Sequence, residues 1–107
     1  MRFEDIVYLQ IQQIPYGHTM SYGHIARLAG YPNHARQVGH TLKQLPKETQ
    51  LPWYRVVNSQ GKISFPLNSD AYTRQREHLF NEGIPLINGK IPKPYFLGWV
   101  MDSIETH

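Results

Sequence analysis

Apolar side chains recur at Phe3, Ile6, Val7, Ile11 and Ile14, the spacing of one helix face, and predict a first helix over Phe3–Gln13. Pro15-Tyr16-Gly17 then breaks the pattern. Ser21 is placed to cap a short second helix that turns Ile25, Ala26, Leu28 and Ala29 inward and stops at Gly30. Pro32 suits the first turn of a third helix, which would pass through Val38 and Leu42 to about Leu45, ahead of Pro46. Two short helices joined by a tight turn containing glycine form a helix-turn-helix pattern.

After Pro46 the pattern changes. Arg55-Val56-Val57 and Lys62-Ile63-Ser64 flank the turn-forming tetrad Asn58-Ser59-Gln60-Gly61, which predicts a small hairpin, or wing. Ser69 or Asp70 can cap a further helix through Leu79 and Phe80, ended by Gly83. Ile87-Asn88-Gly89-Lys90 has the form of a tight hairpin loop, with Pro92 and Pro94 limiting any strand beyond it. The tail Tyr95–Val100 is apolar enough to fold back onto the core. The expected fold is mainly α: a winged helix-turn-helix-like three-helix domain with a small β-hairpin wing and an additional C-terminal helix.

Length fits one domain over residues 1–107, since 107 residues leave little room for a second core. Hydrophobic residues make up 40% and charged residues 18%, which is a globular composition and not a disordered one. No apolar run approaches the roughly 20 residues needed to cross a bilayer, and Met1–Asp5 is mixed in charge, unlike a signal peptide. A cytoplasmic protein, nucleoid-associated if bacterial, is expected, acting as a monomer without membrane contact. The chain contains no cysteine, which excludes disulfides, cysteine-ligated zinc, iron–sulfur clusters and every thiol nucleophile within it. Its six histidines form no ligand framework, so neither metal nor other cofactor is expected.

The net charge of +3 is modest, but it is unevenly spread. No acid lies between Asp5 and Glu48, a stretch that holds Arg27, Arg36, Lys43 and Lys47 together with His18, His24, His34 and His40. A positive field concentrated on one segment is what phosphate contacts require, although a solvated basic face would carry the same charges. Taken singly, the other candidates are equally open. In isolation Arg36 reads as a solvated helix arginine and Trp53 as a core residue, while packing at a helix start is an alternative for Tyr22 and helix packing an alternative for the Ala35/Gly39 pair.

Together, however, these pieces form a specific assembly. Ile14-Pro15-Tyr16-Gly17, Met20-Ser21-Tyr22, Ala26, Leu28-Ala29-Gly30, Ala35-Arg36-Gln37-Val38-Gly39 and Pro52-Trp53-Tyr54-Arg55-Val56-Val57, continuing through Asn58-Ser59-Gln60-Gly61 to Asn81-Glu82-Gly83, resemble one family in order and spacing. It is the DNA-binding domain of the O6-alkylguanine-DNA alkyltransferases, and the resemblance covers about residues 3–84, leaving 85–107 as an extension. The enzymes carry Pro-Cys-His-Arg-Val, where cysteine accepts the alkyl group, histidine activates it through water and a glutamate orients the histidine. In this chain Trp53 stands at the cysteine position, Tyr54 at the histidine position, Leu45 at the position of the family's asparagine and Glu82 at the glutamate position. An indole is a poor nucleophile and a phenol is protonated near neutral pH, so alkyl transfer is chemically implausible. Tryptophan in place of that cysteine resembles the alkyltransferase-like proteins, which bind the lesion without removing the alkyl group and are implicated in passing it to nucleotide excision repair.

The resemblance implies site residues. Tyr22, Leu42, Trp53, Tyr54, Val56, Pro66 and Leu67, with the loop from Ile63, would form a pocket for a flipped guanine. Main-chain carbonyls near Trp53 and Val56 would accept from its amino group. The DNA contacts would come from Tyr22, Ala35, Arg36, Gly39, Lys43, Lys47 and Ser59, with the third helix in the minor groove. Arg36 would fill the vacated space in the stack, and Tyr22 would crowd the phosphate 3′ to the extruded base. Ala35 and Gly39, four residues apart on one face, would let the backbone approach the groove. Glu82, without its histidine, would cap or pair locally. The expected partners are double-stranded DNA containing O6-alkylguanine and proteins of nucleotide excision repair.

Two other classes fit parts of the pattern. A winged-helix transcription regulator would share the helix-turn-helix, but its recognition helix would carry more polar side chains than Ala35 and Gly39. An enzyme using Tyr54 and Glu82 as an acid–base pair is the second.

Overall fold

A computed structural model describes residues 1–97. Four helices carry it: α1 (Phe3–Gln12), α2 (Tyr22–Leu28), α3 (Ala35–Lys43) and α4 (Asp70–Asn81). Two short strands, β1 (Met20–Ser21) and β2 (Val56–Val57), and 3-10 turns at Trp53–Arg55 and Lys93–Tyr95 complete the described elements.

The predicted helix signals act as expected at both ends of α2 and α4. Ser21 Oγ accepts from the His24 amide at 3.0 Å, and Ser69 Oγ accepts from the Tyr72 amide at 3.1 Å. Gly30 and Gly83, at φ of +90° and +79°, close the same helices. Beyond them the amides of Tyr31 and Ile84 reach back to the carbonyls of Ala26 and Leu79, at 2.9 Å in each case.

The third helix starts later than predicted. Tyr31–His34 forms a turn, closed by the His34 amide on the Tyr31 carbonyl at 3.0 Å, and Pro32 lies in that turn rather than in α3. Edge-on contacts of Phe3 with Tyr31 at 5.2 Å and Tyr31 with His34 at 5.3 Å tie the turn to α1. At its other end α3 stops at Lys43, and Gln44 and Leu45 close it with tighter bonds to Thr41 and Leu42, both at 3.2 Å. Pro46 disfavours helical backbone at the residue before it.

The predicted wing is not a paired hairpin. β2 pairs in parallel with β1, Met20 opposite Val56 and Ser21 opposite Val57. Asn58 diverts the following chain: its Oδ1 accepts from the amides of Gln60 at 2.9 Å and Lys62 at 3.0 Å. The side chain thus takes the Lys62 amide that an antiparallel ladder would have used; one backbone bond, from the Asn58 amide to the Lys62 carbonyl at 3.0 Å, closes the turn, and Lys62–Ser64 runs on without strand pairing. By contrast, Ile87 and Lys90 do form the predicted tight antiparallel bridge.

Alternation along β2 links two apolar clusters. Val56 joins Val7, Ile11, Ile14, Ile25 and Val38 between α1, α2 and α3. Val57, facing the other way, joins Ile63, Leu79, Ile84, Ile91 and Phe96 against α4. The tail folds back as far as it is described. Phe96 is buried, and Thr19 bonds to both Tyr95 and Leu97 through its main chain, at 2.6 and 2.8 Å. Trp99 and Val100 lie outside the described residues.

Candidate nucleic-acid interface

The seam between the two clusters opens into a cavity of about 360 Å³. Tyr22, the first residue of α2, lines one side. Ala35, Arg36, Gly39, Leu42 and Lys43 line another, one stripe of α3 at helical spacing. Trp53 from the 3-10 turn, Val56 from β2 and the segment Ser64-Phe65-Pro66 close it. The fold therefore gathers Tyr22, Leu42, Trp53, Val56 and Pro66 from the predicted pocket, and Ala35, Arg36, Gly39 and Lys43 from the predicted DNA contacts, around one opening.

Tyr54 and Leu67 lie elsewhere. A 3-10 turn has about three residues per turn, so adjacent side chains diverge by about 120°. While Trp53 lines the cavity, Tyr54 turns to α4 and stacks on His78, with ring centroids 4.3 Å apart and an interplanar angle of 7°. Leu67 is 71% exposed, because the Ser69 amide and hydroxyl both bond to the Pro66 carbonyl and turn the chain outward. Lys47 lines a neighbouring groove with Lys43, Leu45 and Arg74. Ser59 borders a separate depression with Lys90 and Lys93.

Trp53 is half-buried, not a core residue. Phe65 at 6.3 Å and Tyr54 at 5.8 Å meet its ring edge-on, and the Arg74 guanidinium lies over the ring at 5.5 Å. Burial raises the pKa of the Tyr22 phenol against the opposing effect of a bond to the Ser64 hydroxyl, so the phenol is neutral at physiological pH. A Cβ added at Gly39 would sit 3.8 Å from the Tyr22 ring, an ordinary contact. Folding alone does not demand glycine there. Arg36 is exposed at the start of α3.

Gln75 belongs to the site, although the residue pattern had not singled it out. It lines the cavity, is 1% exposed, and its Nε2 donates to the carbonyls of Tyr54 at 3.0 Å and Val56 at 2.9 Å. The available signal was its position four residues before Leu79 on the buried face of α4.

Behind the turn, Arg55 and Glu82 form a clasp with side-chain exposures of 13% and 5%. Arg55 donates to both carboxylate oxygens, at 3.0, 3.1 and 2.7 Å, and to the Ile14 carbonyl at 2.8 Å. The Gly17 amide adds a bond to Glu82 at 2.9 Å. Burial opposes the charge on Glu82, but the bonds from Arg55, Gly17 and Tyr54 outweigh it and hold the carboxyl below its ordinary value. Burial likewise raises the Tyr54 pKa, and Glu82 raises it further. A carboxylate so fully engaged beside a protonated phenol is a poor base.

The family model described as "6-O-methylguanine DNA methyltransferase, DNA binding domain" matches residues 2–84. The "DNA base-flipping protein" of Vibrio parahaemolyticus is 49% identical over 86 residues, covering 79% of this chain and 84% of that protein. "Alkyltransferase-like protein 1" of Schizosaccharomyces pombe is 46% identical over 89 residues, 80% of this chain and 82% of that one. A crystal structure from S. pombe, of an alkyltransferase-like protein with damaged DNA containing O6-carboxymethylguanine, superposes with a TM-score of 0.80 at 40% identity. The superposition covers 90% of this chain and 97% of the other. With the helix-turn-helix, the parallel β1–β2 seam and the motif from Ile14 to Gly83 in place, the chain belongs to the family of the 6-O-methylguanine DNA methyltransferase DNA-binding domain.

Proposed function

We propose that this protein recognises damaged DNA by extruding an O6-alkylguanine from the duplex into the Trp53 cavity, and that it does not remove the alkyl group. The observation that carries this reading is the cavity itself: Trp53, in a chain without cysteine, faces the same opening as Tyr22, Arg36 and Gly39. An O6 lesion lies inside the base stack, so inspection requires extrusion, at a cost of a few kcal/mol that is smaller where alkylation has already weakened pairing. α3 enters the minor groove, where Ala35 and Gly39 permit close approach. Arg36 occupies the space left by the base, and Tyr22 crowds the 3′ phosphate. Trp53 then offers an aromatic wall, and stacking of a base on such a wall contributes about 1–3 kcal/mol. Lys43, Lys47 and Ser59 contact the flanking backbone. The relatives named for base flipping and alkyltransferase-likeness support recognition without transfer.

The carbonyl of Val56 is presented to the guanine amino group, and the buried Gln75 amide holds that carbonyl in place. The bound protein, a monomer, presents the marked lesion to nucleotide excision repair. The test compares duplexes of one sequence carrying guanine or O6-methylguanine, followed by intact-mass measurement. Selective binding with unchanged protein mass and retained methyl group is expected. A protein heavier by one methyl group would overturn the reading, and equal affinity for both duplexes would favour a sequence-reading regulator.

A further inference from the structure

Trp53 borders a second cavity. A groove of about 320 Å³ lies between the end of α3 and the start of α4, and Leu42, Lys43, Trp53 and Phe65 line both spaces. The indole is thus a shared wall. Beyond it the groove combines apolar surface from Leu45, Pro46 and Ala71 with the cations Lys43, Lys47 and Arg74, and none of its lining residues is acidic. Arg74 is held over the Trp53 ring at 5.5 Å. Its ion pair with Asp70 is long, at 3.7 Å, and Asp70 is 79% exposed, so the pair is weak and leaves most of the guanidinium fork available.

We infer that this groove is a subsite for the far end of O6 substituents that reach past Trp53, and that Arg74 selects those ending in a carboxylate. The inference rests on the reading of the first cavity as the guanine site. A base in that cavity with O6 toward Trp53 directs its substituent at the shared wall. A methyl group ends there. A carboxyalkyl chain continues along the indole edge, places its methylenes against Leu42 and Phe65, and brings its carboxylate to Arg74. A guanidinium donates two parallel bonds to a carboxylate, and the neighbouring lysines add a field of the same sign. A neutral chain of equal length gains the apolar contacts only.

The experiment titrates wild type, Arg74→Gln and Arg74→Lys with labelled duplexes of one sequence. The modified position carries guanine, O6-methylguanine, O6-(3-carboxypropyl)guanine or the matching neutral carboxamide. Wild type is expected to prefer carboxylate over carboxamide about tenfold, the size of one charge-assisted contact. Arg74→Gln should bring that ratio to about one, and Arg74→Lys should retain part of it. The ratio within each variant is its own control for folding. No preference in wild type, or the same preference in Arg74→Gln, overturns the subsite. Equal weakening of all four duplexes would assign Arg74 to backbone phosphates and also overturn it. The guanine and O6-methylguanine arms test the parent reading separately, since loss of that discrimination in wild type would count against base recognition itself.

Discussion

Trp53 and Arg55 stand two residues apart in one 3-10 turn, yet they belong to opposite kinds of surroundings. Arg55 is locked: its guanidinium makes four bonds to Glu82 and Ile14, and only 13% of its side chain is exposed. Trp53 is half-exposed against open cavities, touched by ring edges and by the Arg74 guanidinium. One side of the turn has its polar groups matched inside the fold. The other sets a large aromatic face and the cations Arg36, Lys43 and Arg74 beside open cavities. In the enzymes resembled, the glutamate position serves a catalytic histidine. Here Tyr54 takes the histidine position and Glu82 serves the clasp, which ties α4 to the Ile14–Gly17 turn. The bonds of the carboxylate are structural ones, to Arg55 and to the Gly17 amide.

Breaking the clasp gives the largest expected effect. Arg55→Met leaves Glu82 buried without its cation and should cost about 3–5 kcal/mol of stability, measured by urea or thermal unfolding. A loss below 1 kcal/mol would mean that the two sides of the turn are not as different as their contacts indicate.

Removing Arg36 should do the reverse. Arg36 is exposed, so Arg36→Ala should leave unfolding almost unchanged while weakening lesion-DNA binding by a few kcal/mol, the size of the unstacking cost it offsets. Tyr22→Ala should follow the same pattern, and Tyr22→Phe should be milder because the ring supplies the bulk. A fluorescent base analogue at the lesion position reports extrusion directly. Equal brightening with wild type and Arg36→Ala, at equal affinity, would return Arg36 to a solvated helix arginine.

Acid sharpens the contrast from the other direction. The folded-state pKa of Glu82 lies below its ordinary value, so its stabilising effect is complete above the unfolded value and is lost as pH falls through the folded one. Wild type should lose stability along that acidic limb, and Glu82→Gln should flatten it. An identical acid limb in both proteins would place the titration elsewhere.

The smallest effect belongs to the backbone contacts. Lys43→Ala should weaken binding to modified and unmodified duplex by similar factors and reduce the salt dependence of log K by roughly one charge. An unchanged slope would remove Lys43 from the DNA face.

Helices α1, α2 and α4 were legible because each carries its own signals: the apolar stripe of α1, Ser21 and Ser69 as caps, Gly30 and Gly83 as stops. Such signals act within a few residues, and a linear reading captures them. The resemblance named Tyr22, Leu42 and Trp53 for the pocket and Tyr22, Arg36 and Gly39 for the DNA contacts, and all five residues line one cavity. What the chain alone could not reveal depended on partners distant in sequence or on the direction of a single turn. Val56 and Val57 look like one arm of a hairpin, but they pair with Met20 and Ser21, and beyond them the Asn58 side chain takes the Lys62 amide that would have extended the hairpin. Tyr54 sits beside Trp53 in sequence and leaves the cavity because a 3-10 turn separates neighbouring side chains. Gln75 and Arg74 reach the site only because α4 packs against that turn, and Glu82 finds Arg55 across 27 residues. Caps and apolar stripes are local and were written in the residues. Pairing, facing direction and the second groove beside Trp53 arise from contacts between segments, and only the packed fold decided them.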